Sequence, residues 1–147
     1  EIMFEIKDKI ALGVFCGVTA NLAKNLIGII NYYLGFKKYL MCHIAASYFF
    51  PKDKINSISA LLIGGFSDFS VAAFLGIITV YILYYTGKDY YIIKGFMISS
   101  FAWLLLYGLL SKTLLGINPV DVSTNLAFLI GHLLFGILTA YLAAKKL

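Results

Sequence analysis

Four stretches of this 147-residue chain, at about 10–34, 58–84, 92–114 and 119–141, run apolar with only one or two charged residues each. Each meets the ~20 residues an α-helix needs to cross a ~30 Å hydrocarbon core. The flanking signals are helical. Thr86-Gly87-Lys88-Asp89 is a short polar turn that makes the second and third runs an antiparallel hairpin. Asn118-Pro119-Val120-Asp121 reads as an N-cap, a proline at the first helical position and an acidic first turn. An all-α, single-domain membrane protein over residues 1–147 is predicted, with four spans and no barrel-like alternation. The acidic start, Glu1 to Lys9, lacks a signal peptide's basic character, so the first run is expected to remain as a span.

Composition enters where the surface must be explained. Hydrophobic residues make up 61% and charged residues only 13% of the chain, against about a quarter charged in a soluble domain. A water-facing surface is not available from that remainder, which excludes a soluble globule and a disordered tail. The net charge of +5 comes from twelve lysines and no arginine. Arginine provides bidentate phosphate and base-edge contacts, so no nucleic-acid partner is expected. Lys7 and Lys9, Lys37 and Lys38, Lys52 and Lys54, Lys88 and Lys94, and Lys145 and Lys146 flank apolar runs, as interfacial charges do.

The segment at about 38–50 is apolar but too short to cross. It is expected to lie in the interface, or to re-enter the bilayer, before Pro51 and Lys52-Asp53-Lys54 end it. His43 sits within it as an interfacial candidate. Cys16 and Cys42 have no metal or redox spacing, and no cofactor motif or catalytic residue is identified.

The informative residues are those that lipid should not face. Gly13, Gly17, Asn21, Lys24, Gly28 and Asn31 share one face of the first run at 3.6 residues per turn, with Asn25 beside them. Gly65, Asp68 and Gly76 form a stripe on the second, and Asn125, His132 and Gly136 on the fourth. Small residues let helices approach closely, so Gly13, Gly17, Gly28, Gly65, Gly76 and Gly136 are expected to pack helices. A charge near the bilayer centre costs about 2.5–3.5 kcal/mol and seeks an interior partner. Lys24 lies about 3 Å beyond the middle of its run and Asp68 about 4.5 Å before the middle of its own. In antiparallel spans both offsets point to one side, so a Lys24–Asp68 pair is expected. His132, near the middle of the fourth run, joins Asn21, Asn25 and Asn125 as a candidate polar neighbour.

Gly13-x-x-x-Gly17 with Lys24-Asn25, His43-Ile44-Ala45-Ala46, Gly64-Gly65-x-x-Asp68, Thr86-Gly87-Lys88-Asp89-Tyr90 with Lys94-Gly95, and His132-Leu133-x-Phe135-Gly136 run through most of the chain. In these the chain resembles uncharacterised small four-span membrane proteins of Gram-positive anaerobic bacteria. The resemblance implies a bacterial cytoplasmic membrane and no known activity. The polar residues lead to permeation or transport of a small solute or ion through a homo-oligomer. The alternatives are an accessory subunit of a larger membrane complex and an intramembrane lipid-modifying enzyme. Both termini are expected on one side, the cytoplasmic one.

Overall fold

A computed structural model of the chain describes residues 6–110 and 122–147. The described residues are all-helical, with four helices long and apolar enough to cross a membrane and a short helix between the first and second. α1 (Lys9–Tyr33) begins where the Asp8 carboxylate accepts the Ala11 N–H at 2.7 Å. It ends at Gly35, whose φ of 80° suits glycine. The Gly35 N–H reaches the Tyr32 carbonyl at 3.1 Å and the Phe36 N–H reaches the Asn31 carbonyl at 2.9 Å. That pair of bonds is a Schellman motif, and it turns the chain back against the bundle.

α2 (Met41–Ala46) follows, then α3 (Ile58–Thr86), started by the Ser57 hydroxyl accepting from Ala60 N–H. The Lys94 ammonium covers the carbonyls of Thr86 and Gly87 at the far end of α3, at 3.2 and 2.8 Å. α4 (Tyr91–Trp103) runs on into a π-helical stretch, Leu104–Leu110. α5 (Val122–Lys146) closes the bundle. It continues five residues beyond the expected end at 141, because Lys145 and Lys146 in its last turn favour the negative end of the helix dipole. The expected cap at Asn118 to Asp121, and the end of the third run beyond 110, lie outside the described residues.

α1 packs against α3 on one side and α5 on the other, and α4 packs against α5; α3 and α4 touch only lightly. α2 packs on α3, and in the turn just after it the Tyr48 hydroxyl donates to the Leu106 carbonyl, 2.8 Å away, in the π-helical stretch. It meets α3 at Gly64, where an added methyl would collide with the Cys42 carbonyl. Gly64 lies about 12 Å along the axis from Ala72, the midpoint of α3, inside a ~15 Å hydrocarbon half-thickness. Both placements open for the short segment, interfacial and re-entrant, bring it against α3 at this depth.

The distribution of side chains is that of a protein solvated by lipid. Phe66 is 76% exposed and Leu62 69%, while Asn21, Thr124 and Thr139 are 0% exposed. Exposed apolar groups match acyl chains, and polar groups find partners inside. Thr79 and Thr139 do so within their own helices, donating to the Leu75 and Phe135 carbonyls.

Two close crossings tie the spans. α1 meets α3 through Gly13, Gly17 and Gly76: a methyl on Gly76 would strike the Gly13 carbonyl, and one on Gly17 the Ala72 carbonyl. α4 meets α5 through Gly95 and Gly136, where each glycine faces the other's carbonyl. Two of the glycines expected to pack helices do something else. A methyl at Gly65 meets nothing within 4 Å, and one at Gly28 meets only the Lys37 Nζ, at 3.4 Å. Both line open clefts, because the helices have already diverged at their level. Gly64 and Gly95 take the packing roles instead.

Candidate polar site between the helices

Asn21, Lys24 and Asn25 stand at i, i+3 and i+4 on α1, so one helix face presents all three to α3. Opposite them is the Asp68 carboxylate. Lys24 Nζ donates to Oδ1 at 2.9 Å, and the amides of Asn21 and Asn25 each donate to Oδ2 at 2.8 Å. The ion pair is buried, with side-chain exposures of 10% for Lys24 and 7% for Asp68. Three donors, one of them charged, offset the cost of removing the carboxylate from water. The Lys24 ammonium also lies 5.8 Å from the Phe135 ring centroid.

This cluster stands at the junction of two clefts. The first, of about 310 Å³, is bounded by α1, α3, the α1–α2 link, α2 and α5. The second, of about 250 Å³, reaches under α2 to Tyr48, Leu106 and Tyr107. Lys24, Met41, Asp68 and His132 line both. The walls are mainly apolar with a few convergent polar groups, as in small-molecule sites.

His132 is 6% exposed, and its Nδ1 donates to the Phe128 carbonyl one turn earlier at 2.8 Å. That bond places a proton on Nδ1, so the ring's remaining acid–base position is Nε2. Tyr107 lies edge-on to His132 at 6.1 Å between centroids and stacks on Trp103 at 6.0 Å. Among the described residues, the Asn21 Oδ1 and the Trp103 indole nitrogen are buried without a hydrogen-bond partner. Asn21 lines the second cleft.

The remaining candidates lie apart. Asn125 is half-buried on α5, two turns before His132, and is not among the donors to Asp68. His43, on α2, is half-buried; its Nδ1 accepts the Leu40 N–H at 3.1 Å and its ring stacks beside Tyr32. Burial holds the His43 pKa below the ordinary histidine value.

Lys37 departs most from expectation. Expected as an interfacial charge, it is 8% exposed, with Nζ 4.3 Å from the Phe128 ring centroid. Its neighbours on the chain hold it there. The Phe36 carbonyl accepts from the Ser123 hydroxyl at 3.4 Å, and the Lys38 N–H donates to the Thr124 hydroxyl at 3.2 Å. The Schellman turn at Gly35 aims this stretch back at α5. Gly35, placed just after an apolar run, was the available sequence signal. No protein-family model, curated protein or solved structure matches this chain.

Proposed function

We propose that this integral membrane protein moves a small solute or ion along the clefts that meet at Lys24, Asp68 and His132. The reading rests on where the ion pair lies. A pair that served only to hold helix register would sit as well at the close-packed crossings, yet this one borders two clefts. Intramembrane ionisable groups beside such space are the common elements of solute and proton paths. Four helices enclose little volume, so the path is completed in a homo-oligomer. The resemblance supports a bacterial cytoplasmic membrane. Removing buried Lys37 from the interfacial count leaves Lys38, Lys52, Lys54 and Lys112 against Lys7, Lys9, Lys88, Lys94, Lys145 and Lys146. This balance supports termini on the cytoplasmic side.

Stripes of small residues would also suit an accessory subunit; within the bundle, Gly13, Gly17, Gly76, Gly95 and Gly136 serve the crossings between its own helices.

Reconstitution tests the transport reading. Proteoliposomes are assayed for proton flux with an entrapped pH dye and for uptake of labelled phosphate, acetate and glycerol. At least one flux should exceed that of empty liposomes and fall tenfold or more in Asp68→Asn. Gly65→Leu gives a second arm: it fills the first cleft where a side chain has room, so it should assemble and still block flux. Wild-type protein that moves none of these probes, or variants that both keep full flux, would overturn the reading.

A further inference from the structure

The clefts contain more positive than negative charge. Lys24 and Lys37 both line the first cleft, and Asp68 is its one carboxylate among the described residues. That carboxylate already accepts from Lys24, Asn21 and Asn25. Lys37 has no ion-pair partner among the described residues and rests against the Phe128 ring. An ammonium withdrawn from water with only an aromatic face beside it is an incomplete electrostatic arrangement.

The space around the two lysines is built in. A further cleft, of about 270 Å³, lies between α1 and α5 and shares Lys24, Gly28, Lys37 and Gly131 with the first. A methyl at Gly28 would stand 3.4 Å from Lys37 Nζ, and one at Gly131 would stand 3.6 Å from Lys24 Cγ. The two glycines therefore open the helix surfaces beside both cationic side chains. Leu126, Ile130 and Leu134 line the outer part of this cleft and are exposed, so it is also reachable from the acyl-chain side.

Resting on the reading of the clefts as a solute path, we propose that they bind one anionic group, a phosphate or a carboxylate, between the ammonium groups of Lys24 and Lys37. The anion supplies the charge that Asp68 cannot give to both lysines. Free solutes and lipid headgroups both carry this chemistry.

A pH signature follows from the neighbours. Lys24 from α1, Cys42 from α2, Asp68 from α3 and His132 from α5 share the first cleft with Lys37. Burial first, and then the charge of Lys24, brings the Lys37 pKa down to about 8. Anion binding should therefore be strong at pH 7 and weaken as pH rises through 8 to 9, when Lys37 loses its proton.

The test uses the full chain in an uncharged, phosphorus-free maltoside detergent, titrated calorimetrically with inorganic phosphate, acetate and short-chain phosphatidylglycerol in separate arms. One anion per chain is expected. Lys37→Gln should weaken binding tenfold or more, Lys37→Arg should retain it, and Lys88→Gln, at an exposed turn, should leave it unchanged. Binding confined to phosphatidylglycerol assigns the site to a lipid headgroup; binding of phosphate or acetate assigns it to a free solute. No binding in any arm, or equal binding by wild type and Lys37→Gln, overturns the proposal. Among the described residues the Lys37 ammonium has no hydrogen-bond or ion-pair partner, so its variants are expected to assemble. Binding without flux in the liposome assay would retain the site and discard transport. Flux without anion binding would do the reverse.

Discussion

The two ends of the bundle use the same residue type for opposite purposes. At the end holding the chain termini, Gly13, Gly17 and Gly76 bring α1 and α3 into backbone contact, and Leu12, Cys16, Val80, Leu83, Ala140 and Ala143 form a closed core. At the other end, Gly28, Gly65 and Gly131 face little or nothing, and the helices part around Lys24, Lys37, Asp68 and His132. α2 enters that end beside α3 and lines part of the second cleft. A glycine in a span thus marks either a helix crossing or a space, and only the neighbouring helix distinguishes the two.

The sharpest way to break the contrast is to remove the group that bridges the open end. Asp68→Ala strips three donors of their acceptor and leaves Lys24 charged and buried, a loss of about 3–5 kcal/mol. It should appear as a lower midpoint in detergent unfolding. The double variant Lys24→Met/Asp68→Leu leaves no unpaired charge there and should recover part of the stability, yet remain inactive in liposomes. If the double variant transports normally, the pair is a staple and the path runs elsewhere.

At the closed end, Gly76→Val drives a branched side chain into the Gly13 carbonyl and the Gly17 backbone. Overpacking of this kind costs about 1–3 kcal/mol or more, because backbone cannot swing aside as a side chain can. Reduced yield of monodisperse protein and a lower melting temperature are expected. Tolerance of Gly76→Val would mean that the crossing is looser than its geometry.

A smaller effect should follow pH. Lys37 is held at about 8 in the folded chain, below the ~10.4 of a free lysine. Between these values the unfolded chain binds the extra proton, so stability rises with pH across that window. Without added anion, Lys37→Met should be the more stable protein at pH 7, and its advantage should shrink as pH rises through 8 towards 10. A gap independent of pH would show that Lys37 is not the group responsible.

The smallest and cleanest comparison is between adjacent glycines. Gly64→Ala meets the Cys42 carbonyl and the Ala46 backbone and should destabilise α2 against α3. Gly65→Ala meets nothing and should be neutral, or stabilising by up to about 1 kcal/mol through helix propensity. Equal melting temperatures for the two variants would remove the argument for a close α2–α3 contact.

Much of the site was legible from local arithmetic. Asn21, Lys24 and Asn25 share a face because the helical period puts them there, and an intramembrane charge must find a counter-charge at its own depth. Gly28, Gly65 and Gly64 were not legible, since small-residue spacing is the same for a contact and a gap. A lysine after an apolar run normally reaches water, so the local sequence around Lys37 points to an interfacial charge. Its burial depends on Gly35 reversing the chain and on Ser123 and Thr124 holding the turn from α5, some 86 residues away in sequence for the Lys38–Thr124 bond. The π-helical stretch likewise engages a residue distant in sequence, its Leu106 carbonyl accepting from the Tyr48 hydroxyl.

The sequence by itself determined the solvent and the number of crossings, because hydropathy and run length respond to a bilayer whatever the partners are. It also determined which polar face of α1 would turn inward, since the helical period is local. Which glycines meet, where α2 enters and which lysine is buried were decided only by the tertiary structure. Those outcomes depend on the separation between helices distant in sequence, and no local pattern encodes that separation.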